Sequence, residues 1–155
     1  MILRVGIDMG GCISKFPDEF FILVETLAAG TKALQANGSK CGVEVWIVSD
    51  MHPKEKIMDM LLRNGWNISC DRVVSADYKA HGEFCKAVVC KEHGIDVLID
   101  DFIGYVCTPG APKVRLLVMP DASRDYYHST WVCSPEDAKF GRRNPSGSKR
   151  PPEDK

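Results

Sequence analysis

The chain has 155 residues, 45% hydrophobic and 26% charged, with a formal net charge of -1. This suits a single domain with a real core and gives no support to nucleic-acid binding by bulk positive charge. No apolar run approaches the ~20 residues that span a bilayer.

The first residues, MILRVGID, run straight into a strand-like segment. They lack a charged stretch followed by a long apolar one, so a secretory signal is not expected and a cytoplasmic protein is. Ile2 to Asp8 reads as strand one, apolar on both sides like a central parallel strand. Residues 18 to 36 read as a helix, with Asp18 and Glu19 in the first turn and Phe20, Leu23, Leu27, Ala28 and Leu34 on a loose apolar face. NGSKCG ends it. VEVWIVS, 43 to 49, is strand two, rich in β-branched residues. SDMHP opens a second helix, with Pro53 suited to the first turn and Gly65 as its limit.

RVVS, 72 to 75, is a short third strand. Residues 80 to 93 read as a third helix, with Phe84, Ala87 and Val88 facing inward and Gly94 at its end. IDVLIDD, 95 to 101, is strand four. A short helix or turn follows, then VRLLVMP, 114 to 120, as strand five. Alternating strands and helices predict an α/β fold: a single Rossmann-like three-layer domain over residues 1–133, with a parallel sheet of about five strands. One helix between strands one and two leaves no room for a large cap domain. Residues 134–155, rich in Pro, Gly, Ser and charge, read as a disordered tail.

The seven cysteines are odd in number, include no CxxC pair and are scattered through apparent core segments. They read as reduced thiols. His81, Cys85, Cys90 and His93 lie close in sequence, and on a helix Cys85 follows His81 by one turn, but Cys90 points elsewhere, so buried small side chains and surface histidines are the expected reading over zinc.

Open parallel sheets bind ligands outside the carboxyl ends of their strands. Asp8, Ser49, Asp100 and Asp101 all fall at such ends, and Gly10 and Gly11 follow the first. In their order and spacing these segments resemble the haloacid dehalogenase (HAD) superfamily of phosphohydrolases. IDMGGCI matches its first motif, with Asp8 at the nucleophile position and Gly11 at the motif glycine. VWIVSD supplies Ser49 for the second motif. ADYKAHGEFCK supplies Lys79 for the third, with Lys86 a less well placed alternative. DVLIDDF supplies Asp100 and Asp101 for the fourth.

The resemblance implies a phosphatase that works through an aspartyl-phosphate at Asp8. It implies Mg2+ held by Asp8, the Gly10 carbonyl, Asp100 and Asp101. Phosphate would be held by Ser49, Lys79 and the backbone of Gly10 and Gly11, with Lys79 also supplying charge to the transition state. The substrate would be a phosphorylated small molecule or another phosphoester.

One departure matters. The family's second motif aspartate, its general acid/base, is Gly10 here, and such catalysis contributes ~10²–10⁴-fold. The alternative is therefore a pseudophosphatase that binds a ligand or partner without turnover. Asp18 and Asp50 are nearby acids that would have to stand in. GIDMGG also resembles the phosphate loop of the actin and sugar-kinase superfamily. That fold needs two domains, and it gives the later Ser49, lysine and Asp100/Asp101 series no role. A phosphorylated receiver domain would need its acidic pair after strand one, which is the wrong order.

Overall fold

The computed structural model describes residues 1–102 and 110–119. The turn or short helix expected after strand four falls mostly beyond these residues. The tail 134–155 lies outside them entirely, as do Cys107 and Cys133.

Five parallel strands form one sheet: β1 (Ile2–Asp8), β2 (Gly42–Ser49), β3 (Val73–Ser75), β4 (Val97–Asp100) and β5 (Arg115–Val118). Their order across the sheet is β3-β2-β1-β4-β5. The chain thus leaves β1 in one direction to lay down β2 and β3, and returns to the other side of β1 for β4 and β5. That reversal, between β1 and β4, is the topological switch point where doubly wound sheets open a crevice.

Four helices accompany the sheet: α1 (Pro17–Ala36), α2 (Lys54–Arg63), α3 (Tyr78–His81) and α4 (Cys85–Glu92). Strand alternation divides the core into two layers. Val5, Ile7, Val45, Ile47 and Ile99 share one cluster with Phe20 and Val24 of α1 and Ile57 and Leu61 of α2. Trp46, Val48 and Leu98 face the other way and pack with Cys85, Val89 and Cys90 of α4. Helices therefore cover both faces, as the α/β reading of the sequence requires. Among the described residues no helix is long and apolar enough to cross a membrane.

The helix expected over 80–93 is broken. Asp77 caps the short α3 by accepting from the Lys79 and Ala80 amides at 2.9 and 3.1 Å. Gly82 then takes a left-handed φ of 56°, the chain makes a tight turn through Gly82–Phe84, and α4 begins at Cys85. A helix cannot continue through that φ, so residues on either side of Gly82 face in unrelated directions.

β3 pairs with β2 only from Ile47 onward, which leaves the amino half of β2 bare on that edge. Thr31 of α1 covers part of it. Its hydroxyl accepts from the Val43 amide at 2.8 Å and donates to the Val43 carbonyl at 3.2 Å. Thr31→Val, nearly equal in shape, would leave both backbone groups without that partner. The expected cost is about 1–2 kcal/mol, read as a lower urea midpoint at unchanged m-value.

Candidate functional site

The carboxyl end of β1 is where the charge gathers. β1 and β4 pair Val5 with Val97, Gly6 with Leu98 and Ile7 with Ile99, so the register continues to set Asp8 opposite Asp100. Leu98 faces α4, and Asp100, two residues on, faces the same way. Lys86, in the first turn of α4, meets both acids. Its Nζ lies 2.8 Å from Asp8 Oδ1, donates to Asp100 Oδ2 at 2.7 Å, and stands 3.5 Å from Asp50 Oδ1. Asp8, Asp100 and Lys86 are completely buried.

The amine at this cluster is thus that of Lys86, where Lys79 was expected. Lys79 lies on α3 and is exposed. The break at Gly82 is the reason: an unbroken helix over 80–93 would orient its lysines differently from the separate, re-angled α4.

The two acids of the doublet have separate surroundings. Asp100 is fully engaged: Oδ2 accepts from Lys86 and Oδ1 from the Phe102 amide at 2.7 Å. Asp101 turns toward the turn Met9–Ile13 that follows β1. Gly11 in that turn has φ 82°, and a Cβ built there would overlap the Asp101 carboxylate. Glycine is required at this position on both counts. Gly10 is different: its φ of -84° suits any residue, and a Cβ would meet only Met51 Sδ at 3.0 Å and, at 3.8 Å, Asp8 Oδ2.

Ser49 closes β2 and is buried. Its Oγ accepts from the Met51 amide at 3.3 Å, turning the chain toward α2. Asp50, next to it, reaches the lysine and so belongs to the cluster.

Lys86 ion-pairs with Asp8 Oδ1 at 2.8 Å, and among the described residues no hydrogen-bond donor meets Asp8 Oδ2. One carboxylate oxygen of Asp8, one of Asp101 and the Cys12 sulfur lie within 4.8 Å of one another, all buried. Asp8, Asp50 and Asp100 share the ammonium of Lys86, and Asp101 lies near Asp8. Buried carboxylates crowded in this way favour a cation or protons among them. Among the described residues, Asp8, Asp101 and Cys12 are the group close enough together to hold a cation, while the Asp100 oxygens accept from Lys86 and the Phe102 amide.

Burial pushes the Asp8 carboxyl up to about 8; Lys86 pulls it down, and Asp100 and Asp101 push it further up. Asp100 is raised as well, first by burial, with Lys86 opposing. Burial, reinforced by Asp8, holds the Cys12 thiol far above its ordinary range.

Cys12 is the residue that sequence reasoning missed; its signal was a position four residues past Asp8 on the same tight turn. The five cysteines Cys12, Cys41, Cys70, Cys85 and Cys90 are free thiols, in line with the reduced reading. His81, Cys85, Cys90 and His93 do not form a close metal-ligating group, and the His93 ring instead lies against Trp46 with centroids 5.2 Å apart. An apolar cavity of about 220 Å³ lies elsewhere, between α1 and β5, lined by Phe16, Phe20, Leu23, Ile99 and Leu117.

No protein-family model, curated protein or solved structure matches this chain.

Two outcomes follow from the buried charges. Lys86→Met would strand Asp8 and Asp100 and lower stability by about 3–5 kcal/mol, whereas Lys79→Met would leave the urea midpoint nearly unchanged. In chelator, the unfolded chain releases the Asp8 proton near pH 4 and the folded chain only near pH 8. The folded state binds more protons across that window, so stability falls as pH rises through it. The fall should be smaller in Asp8→Asn, compared by urea denaturation at each pH.

Proposed function

We propose that this chain is a small phosphohydrolase of the HAD-like type, with Asp8 as its nucleophile. The observation that carries this reading is the Asp8 carboxylate itself. It is buried at the switch point of the sheet, with Lys86 2.8 Å from Oδ1 and no hydrogen-bond donor on Oδ2 among the described residues. A carboxylate serving structure alone would be expected to have its lone pairs satisfied.

In this reading an Asp8 oxygen forms a bond to phosphorus as the bond from phosphorus to the leaving oxygen breaks. The departing oxygen takes a proton. Water then attacks the aspartyl-phosphate, the bond from Asp8 to phosphorus breaks, and inorganic phosphate leaves. Lys86 takes the role first given to Lys79: it holds Asp8 in place and offsets charge on the transferring group. The Ser49 hydroxyl and amides of the Met9–Ile13 turn other than Gly11, which donates to Ser14 Oγ, would be neutral donors to the phosphate. Asp8 and Asp101 would hold a divalent cation such as Mg2+, which when bound would offset the charge of a dianionic phosphate. Because Asp8 is fully buried, the reading requires a covering side chain to move aside when substrate enters.

Gly10 favours a second reading, a module that binds a phosphorylated ligand without turning it over. No carboxylate stands at position 10 to protonate the leaving group, and the Met51 thioether fills the adjoining space. Under the first reading, the substrates are phosphoesters whose leaving groups need little protonation.

The test is turnover of p-nitrophenyl phosphate and a nucleotide panel with Mg2+. Wild type should hydrolyse p-nitrophenyl phosphate slowly, and Asp8→Asn should abolish that activity. Gly10→Asp displaces only the flexible end of Met51 and should raise the rate on poor leaving groups by up to ~10²–10⁴-fold. Turnover that survives Asp8→Asn removes the nucleophile. Mg2+-dependent binding of phosphate with no turnover in wild type favours the second reading.

A further inference from the structure

We propose that the cation site between Asp8 and Asp101 includes the Cys12 thiolate as a third ligand, and so takes a borderline metal such as zinc(II) in preference to magnesium. The inference rests on the reading of Asp8 and Asp101 as cation ligands and changes which cation they hold.

Three donors converge. The Cys12 sulfur lies within 4.8 Å of one oxygen of each acid, and all three residues are buried. Tetrahedral zinc with sulfur at ~2.3 Å and oxygen at ~2.0–2.2 Å needs donor atoms closer together than this limit. Side-chain rotation alone can supply the difference.

The frame that carries the donors is rigid. Asp8 ends β1, and the turn after it is tied by Ser14 N to the Met9 carbonyl at 3.0 Å, Gly11 N to Ser14 Oγ at 3.0 Å and Phe16 N to the Cys12 carbonyl at 3.0 Å. The left-handed Gly11 admits the Asp101 carboxylate against the turn.

An independent observation points to a ligand here. Asp8 Oδ1 is ion-paired with Lys86, whereas Oδ2 is a buried acceptor with no hydrogen-bond partner among the described residues.

Cys12 also lies within the apolar cluster beneath α1, and a cysteine can serve there as a small hydrophobe. That role does not account for two carboxylates beside its sulfur. Its hydrogen bond from Sγ to the Ile99 carbonyl, at 3.9 Å, is long and weak enough to yield to a metal.

The donor chemistry decides the metal. Magnesium takes oxygen and dehydrates reluctantly, whereas thiolate favours zinc and cobalt. On binding, the Cys12 S–H bond breaks, its proton passes to solvent and its sulfur electron pair forms the bond to the metal. Two carboxylates and one thiolate leave a fourth position open, the arrangement that catalytic zinc sites keep for water or substrate.

The test uses the full chain, stripped with chelator and titrated with cobalt(II). Wild type should develop a thiolate-to-cobalt charge-transfer band. A Cys41→Ser/Cys70→Ser variant, which lacks the thiols exposed among the described residues, should keep it; Cys12→Ser should lose it. Zinc affinity should fall in Cys12→Ser by at least the roughly 10–100-fold that even an outer partner's loss costs, with Mg2+ affinity unchanged. Zinc absorption-edge spectroscopy on the Cys41→Ser/Cys70→Ser variant should show sulfur in the first shell and needs no change at Cys12.

Cobalt bound without the band, a band that persists in Cys12→Ser, or an all-oxygen zinc shell would each overturn the inference. If that happens while Asp8-dependent turnover with Mg2+ is present, only the thiolate ligand is lost. If neither metal binds and no turnover occurs, the reading beneath it falls too.

Discussion

The buried ammonium of Lys86 holds this end of the molecule together. It stands within 3.5 Å of three carboxylates from three different segments: the end of β1, the residue after β2 and the end of β4. Taking one cation and several anions out of water is costly, and Coulomb attraction offsets that cost only where geometry is close and lone pairs are satisfied. Asp100 meets that condition; Asp8 does not. The imbalance is local and specific, and it falls at the point where the strand order reverses. A site that binds a further charge is thereby left with something to gain from doing so.

The same imbalance connects fold to chemistry. Strand alternation sends Asp8 and Asp100 to the α4 face, and the packing of Cys85, Val89 and Cys90 fixes α4 so that Lys86 lies over them. The Met9–Ile13 turn then brings Cys12 and the Asp101 carboxylate close to Asp8. No single element makes the cluster. Its precision depends on β1 and β4 being hydrogen-bonded neighbours although about ninety residues separate them in the chain.

Much of this architecture was legible in the residues. Apolar runs of strand length, broken by helix-length segments, indicated the parallel sheet, and the acids at strand ends indicated which rim gathers the buried charge. The choice between Lys79 and Lys86 was not legible. It turns on a backbone reversal at Gly82 inside what reads as one continuous amphipathic segment, and glycine alone does not announce whether it will be tolerated in a helix or end it. The different surroundings of Asp100 and Asp101 were equally hidden. A doublet reads as a pair of like residues until the strand's pleat and the Gly11 turn assign each one a direction. Cys12 escaped notice because small buried thiols are common in cores, and only proximity in space sets this one apart.

The doublet at the end of β4 carries a consequence for how this chain tolerates change. Asp100 answers to an amine on one layer and Asp101 to a glycine on the other. Their identities are chemically interchangeable, yet their duties are set by counting along the strand. Insertion or deletion of a single residue between Val97 and Asp100 would keep both acids in the sequence while reversing the sides they serve. Drift in this protein should therefore resist any change in the length of β4.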